Sequence, residues 1–367
     1  MKKPWLASIE YIRGVSMLGV VAIHIGSQYL LLNPTPNVHL VALFEIVSRF
    51  SVPIFFFVSA FGLFYRMDIS EPFEYGKFLR RRFKAVLIPY LLWSTFYLVH
   101  DNWFYGYQLF PDFDYATEIY FFGLAKYHLY FLVILIWFYV LMPLWIFFVR
   151  RMTPAKIFLL LVAQVAFDFW SSYSFALVQF VNSLPADSWL QMCLKWRLNW
   201  FVGHYVFVFL LGGVLAIHSE RFFAWISAHK KIVNATFFVA LTTLLGYYYF
   251  LLFVKGFSPL EAVNTAHQLS PAGIFYTIAA SIFFFALFQT ETLNLPTKKL
   301  LSLLGRHSYF VYLAHPFAIT YLSLALGKLG LIMTAPSALI FYVVTVALTL
   351  STALLVNRVK QFFQAPL

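Results

Sequence analysis

The chain has 367 residues, of which 62% are hydrophobic and only 11% charged, and its formal net charge is +12. A soluble protein of this size has no interior large enough to hide that apolar surface, so composition excludes a soluble globular enzyme and points to a polytopic membrane protein. The 26 lysines and arginines, against 14 acidic residues, fall mostly in short loops between apolar runs, which is the pattern of topology signals and headgroup contact and speaks against nucleic acid as a partner.

Hydropathy predicts an all-α fold of about ten transmembrane helices, at 9–32, 41–65, 83–99, 127–149, 157–178, 200–217, 232–254, 273–289, 309–326 and 335–356. The first run carries His24 and lacks a small-x-small cleavage site, so it reads as a retained span and not as a signal peptide. Basic residues crowd one set of loops and the termini: Lys2, Lys3, Arg66, Lys77, Arg80, Arg150, Arg151, Lys156, Arg221, Lys230, Lys231, Lys298, Lys299, Arg358 and Lys360. The opposite loops hold few, and the longest of them is acidic, with Asp101, Asp112, Asp114 and Glu118. The positive-inside rule then predicts both termini in the cytoplasm. One transmembrane domain over 1–367 with no appended soluble domain is expected, so any chemistry belongs to the membrane domain. Cys193 is the single cysteine, which leaves no intrachain disulfide.

In the first span, Arg13 and His24 lie eleven residues apart, close to three whole helical turns. They share a face, separated by roughly 16 Å along the axis, which puts His24 near the bilayer centre if Arg13 marks the boundary. Glu10, one turn before Arg13, can neutralise it locally. A neutral imidazole at that depth can act as a general base; the competing reading is a structural histidine bonded to a neighbouring helix. In the second span, Glu45 and Arg49 are four apart and suit an ion pair, with Pro53 as a possible kink.

Arg80, Arg81, Arg82 and Lys84 cluster at the entry to the third span, ahead of Pro89. Guanidinium groups pair bidentately with phosphate, so the cluster suits a polyanion such as an acyl-CoA; it equally suits a positive-inside anchor. His128 and Tyr130 stand where the acidic loop enters the fourth span, as an interfacial anchor or an acceptor-binding pair. In the run Gly305–Pro316, Ser308 is a candidate cap for the ninth span, Arg306 marks its cytoplasmic edge, Tyr309 follows, and His315 lies about two turns further in. There is no Walker-type glycine loop, no metal-ligand spacing and no Gly-x-Ser-x-Gly elbow.

Taken in order, these segments resemble acyltransferase family 3, the inner-membrane O-acyltransferases that decorate bacterial surface glycans. Arg13 and His24 match its Arg-x10-His pattern, and Val52 to Ser59 its Val-Pro-x-Phe-Phe-x-x-Ser segment. Arg82 through Trp93 resembles its basic entry ending in Ile-Pro-Tyr-x-x-Trp, His128 to Pro143 its fourth span, and Gly305 to Pro316 its Ser-Tyr…His-Pro signature. The family's Arg-x-x-Arg is interrupted, because Ala85 stands at the second position, so Lys84 or Arg81 would have to substitute. The resemblance implies transfer of an acyl group, most often acetyl, from acyl-CoA as co-substrate to a sugar hydroxyl of a surface glycan or lipid-linked precursor, in the bacterial inner membrane and without a bound cofactor. His24 and Arg13 would be catalytic; Arg82, Lys84 and Arg81 would hold the donor; Glu10, Glu45, Arg49, His128, Tyr130, Ser308, Tyr309 and His315 would support the site or the acceptor. Two other readings remain: an exporter of polysaccharide or glycolipid, and a non-catalytic scaffold of a glycan-synthesis complex.

Overall fold

The computed structural model describes residues 4–106, 113–186, 188–290 and 293–364; Lys2, Lys3 and Asp112 and the side chain of Lys360, used above as topology markers, lie outside them. It is 83% helical, and the described residues contain no strand. Eight helices are long and apolar enough to cross a membrane, and ten spans result if each of two bent helix pairs is counted as one. The two pairs are the predicted fourth and sixth spans, so the count agrees with hydropathy once their breaks are allowed for.

The chain divides into two compact units, Met1–Arg66 with Leu215–Leu367, and Met67–Val214. In the first, α1 (Ala7–Leu32) is central: it touches α2 (Val38–Arg66) and the three helices that close the chain. The second unit opens with α3 (Tyr75–Tyr105), the short α4 (Phe113–Phe122), and α5 (Tyr130–Val140) with α6 (Met142–Arg151). It continues with α7 (Pro154–Tyr173), α8 (Phe175–Ser183), α9 (Trp189–Lys195) and α10 (Arg197–Trp200), a 3-10 turn at Val202–Tyr205 and α11 (Val206–Ile217). The first unit then resumes with α12 (Ser219–Ala228), α13 (Lys230–Phe253), α14 (Pro259–Thr265), α15 (Pro271–Thr290), α16 (Leu295–Lys328) and α17 (Ala335–Gln364).

Two spans widen locally into π-helix, at Ala42–Ile46 in α2 and Phe83–Leu87 in α3. Each precedes a proline, Pro53 or Pro89, whose missing N–H removes a rung of the ladder. In α2 the chain overwinds after the wide turn, through Arg49 N–H to Ile46 O and Ser51 N–H to Ser48 O, and Tyr276 of α15 donates its hydroxyl to the Val47 carbonyl at 2.8 Å. The effect is to aim Glu45 inward. Between α5 and α6 the axis bends by 68°. Pro143 begins α6, and Trp145 and Tyr75 donate to the Phe138 and Val140 carbonyls exposed at the bend.

The ninth span corrects one expectation. Ser308 is not a cap: it lies inside a continuous 34-residue helix and donates to the Gly305 carbonyl. The true N-cap is Asn294, whose side chain accepts from Thr297 N–H, with Pro296 in the first turn. Polarity at Arg306 and Ser308 suggested an edge, but the helix starts earlier because the cap and the proline favour it there. Pro316 sits within the same helix without ending it.

Candidate functional site

Helices α1 and α16 run parallel in fixed register. Glu10 accepts from Ser302 Oγ at 2.7 Å near one end, and Ser323 meets Gln28 at 3.3 Å near the other. Glu10 therefore bonds across to α16, beyond the local role toward Arg13 expected for it. Their backbones almost touch where Gly14 and Gly305 meet. A Cβ on Gly14 would fall 2.6 Å from the Leu301 carbonyl oxygen, and one on Gly305 would collide with the Glu10 carbonyl. Ten residues further along both helices, the register brings His24 opposite His315.

Those two imidazoles stack with centroids 5.1 Å apart and planes 24° from parallel. His315 is fully buried, whereas His24 keeps part of its surface open. The Nδ1 of His315 lies 3.1 Å from the Val311 carbonyl, so it carries the proton on that side. Pro316 contributes here: lacking an N–H, it leaves the Tyr312 carbonyl without its helical partner, and that carbonyl also engages the ring. His315 is thus held by its own helix and offers a flat, fixed face to His24.

One turn beyond His24, Ser27 donates to Glu45 Oε1 at 2.6 Å. The Glu45 carboxylate, 1% exposed, pairs with Arg49 at 3.3 Å, and Arg49 also donates to the Val263 carbonyl of α14 at 2.9 Å. Glu45, Arg49, His24 and His315 are therefore one cluster, built from α1, α2 and α16. Arg13 is on the same continuous helix as His24, so their spacing stays roughly 16 Å along the axis. Tyr309 is half-buried on α16, two turns before His315. An open hollow of about 540 Å³ lies near the other end of α1, lined by Leu31, Asn33, Pro34, Ser258 and Pro259.

In the second unit the basic run splits by helical face. Arg82 turns inward over the rings of Phe78 and Tyr139, 5.3 and 5.5 Å from their centroids. Arg80, Arg81 and Lys84 are exposed, with Arg81 Nε reaching the Lys77 carbonyl at 3.4 Å. His128 is buried, edge-on to Tyr97 at 5.7 Å, and Tyr130 begins α5 half-buried. Beside them Lys126 pairs with Asp101 at 3.0 Å, and Asp101 also meets His100 at 2.8 Å.

A further polar group escaped the sequence reading. Asp168 of α7 meets His204 of the 3-10 turn at 2.7 Å, with both side chains at 0% exposure, and Gln164 donates to Asp168 at 2.8 Å. The available signal was an acidic residue inside an apolar span, which is costly and marks a site by default.

The family model described as an acyltransferase domain matches residues 6–356, nearly the whole chain. The chain belongs to acyltransferase family 3. No curated protein and no solved structure matches it. Membership in acyltransferase family 3 makes the chain an acyltransferase, and the membrane helices make it a multi-pass one. An acyltransferase of this family needs a group able to take a proton from a hydroxyl or to carry an acyl group, and the half-open His24 backed by the fixed His315 has that chemistry.

Proposed function

We propose that the protein transfers an acyl group, most simply acetyl, from cytoplasmic acyl-CoA to a hydroxyl of a bacterial surface glycan or its lipid-linked precursor, in the inner membrane with both termini cytoplasmic. The observation that carries this reading is the His24–His315 stack inside the spans of a family-3 acyltransferase. Stacking fixes the plane of the His24 imidazole, which is partly exposed where His315 is fully buried.

Two routes use the same residue. In direct transfer, His24 takes the acceptor's O–H proton, the oxygen attacks the thioester carbonyl, the C–S bond breaks and the CoA sulfur leaves as thiolate, which is then protonated. In a relay, a His24 nitrogen attacks the thioester first, the C–S bond breaks and CoA leaves as thiol with the imidazole's proton; the sugar oxygen then displaces the imidazole from the acyl group, and the hydroxyl proton returns to the imidazole. The Arg49 guanidinium, neutralised by Glu45 in the resting protein, can offset negative charge developing on the carbonyl oxygen. Arg82, with Arg81 and Lys84, is assigned to the donor's phosphates, and Arg13 to orienting the donor. His128, Tyr130 and Tyr309 are acceptor-side candidates.

The test is transfer of label from radiolabelled acetyl-CoA to fractionated glycans, using membranes with wild type or His24→Ala. Label that disappears with His24→Ala supports the reading. Wild-type membranes that transfer nothing from acetyl-CoA or succinyl-CoA would turn it toward export or scaffolding.

A further inference from the structure

The open hollow at the end of α1 belongs wholly to the first unit, and its polar atoms come from the backbone. Seven of its nine lining residues are Leu or Pro. The other two spend their side chains locally. Asn33 Nδ2 donates to the Met333 carbonyl at 2.9 Å and its Oδ1 accepts from Thr35 N–H at 2.8 Å, while Ser258 Oγ donates to Glu261 at 2.7 Å. α1 ends without a closing cap: Asn33 is extended at φ −130°, Pro34 has no N–H, and the Thr35 N–H is already taken. The Leu32 carbonyl accepts from Met333 N–H at 3.3 Å. The Leu30 and Leu31 carbonyls accept no hydrogen bond from beyond the helix among the described residues, and both residues line the hollow. At about 540 Å³ the space is that of a small-ligand site.

These features select a chemistry. Carbonyl oxygens only accept, so the occupant must bring several O–H or N–H groups. The C-terminal end of α1 is the negative pole of the helix, its last turn holds no basic residue, and no charged side chain lines the hollow, so a phosphate or carboxylate is disfavoured. The rings of Pro34, Pro36 and Pro259 offer rigid apolar walls to C–H faces. A neutral sugar presents both kinds of surface. Leu31 lies seven residues beyond His24, two turns or roughly 10 Å along α1, and on the same face. Gln28 stands between them on that face; it and His24 are half-buried, and Leu31 is exposed. From the other wall, α14 leads back to the same cluster, because Val263, one turn after Pro259, holds Arg49. On the orientation proposed above, this end of α1 is the outer one.

We propose that the hollow is a distal acceptor subsite, holding uncharged sugar units that flank the unit acylated at His24. The proposal rests on the acyl-transfer reading and names the class of acceptor that this side of the first unit takes.

The test uses radiolabelled acetyl-CoA as donor. The acceptor is the glycan fraction extracted from native membranes, used whole and after acid hydrolysis to single sugars, which cannot span the roughly 10 Å from His24 to the hollow. Leu31→Trp and Leu260→Trp fill the hollow from α1 and α14; the two leucines are 69% and 49% exposed, so neither change disturbs the core, and each backs up the other. We expect both to raise the KM for whole glycan about tenfold, with the donor KM and the KM for single sugars within twofold of wild type. Leu329→Trp, exposed but outside the lining, should change nothing. A whole-glycan KM within twofold of wild type in both filled variants would overturn the subsite and leave the hollow to lipid or water. An equal rise for single sugars, or in Leu329→Trp, would overturn it as well, marking damage at His24 or a general surface effect. A rise confined to glycan retained on an anion exchanger would overturn the assignment to uncharged units. A wild type that transfers no label instead removes the acyl-transfer reading itself, a failure that needs no variant to detect.

Discussion

Gly305→Ala should damage activity more than stability, because it acts on the register that brings His24 to His315. A Cβ at residue 305 would strike the Glu10 carbonyl and lie 3.0 Å from Glu10 Cα. Both obstacles are backbone, so no rotamer change relieves them, and α1 and α16 must separate by about 1 Å. Overpacking of this kind costs about 1–3 kcal/mol. The histidines lie ten residues further along each helix, roughly 15 Å from the collision, and the helices are too stiff to absorb the shift over that span. Misplacing a catalytic group by about 1 Å costs on the order of 100-fold in rate. The assay is kcat for labelled acetyl transfer, with Tm measured on the same preparations. Gly246→Ala in α13 is the control: an added methyl there meets nothing within 4 Å, so activity should be unchanged and stability should rise by about 0.5–1 kcal/mol. A Gly305→Ala enzyme with kcat within twofold of wild type would refute the claim that this crossing sets the site.

Glu45→Ala should cost about 3–5 kcal/mol, because it strands the Arg49 guanidinium inside the unit. The double variant Glu45→Ala/Arg49→Ala should be more stable than the sum of the two single losses allows, and strictly additive losses by chemical denaturation would argue against a coupled pair. Arg82→Ala should raise the acyl-CoA KM about tenfold while leaving the acceptor KM unchanged; Arg82→Lys should fall between, since an ammonium keeps the charge but loses the planar fork. An unmoved donor KM in Arg82→Ala would detach the donor from α3.

Most of the architecture was legible because hydropathy is a long, additive signal. All ten predicted spans find a helix or a bent pair, most with ends displaced by several residues, the ninth starting 14 residues earlier, at Leu295 instead of 309. What hydropathy could not carry was the backbone inside a span. The π-turn that aims Glu45 inward and the 68° break after Val140 leave composition unchanged. Pro53, Pro89 and Pro143 were visible, but a proline tells where the ladder weakens and not how the chain responds. Ser308 shows the opposite error, a polar residue read as an edge when a 34-residue helix passes through it. Among site residues, His24, His315, Glu45 and Arg49 were each recognisable as polar groups in apolar runs. That the first two stack follows from Gly14 meeting Gly305, a contact between residues 291 apart that spacing on one helix does not encode.

The two buried histidine groups also differ in how their helices are used, and this bears on why one was found and the other missed. α1 touches helices on several sides, and a pattern along that single helix already isolates Arg13 and His24. α7 turns most of its surface outward, with Val162, Phe169 and Trp170 exposed, and buries only a strip through Gln164, Asp168 and Ser171. That strip recurs at four and then three residues, the spacing of one helical face. It stands out only when polar residues, rather than apolar ones, are tested for periodicity. In a lipid-facing helix the apolar residues are distributed all round and carry no direction, so the polar minority defines the inward face. Applied to α7, this reasoning isolates Asp168 from sequence alone, and the requirement that a buried carboxylate be paired then directs the search to a cationic or N–H-bearing residue in a neighbouring segment, where His204 stands.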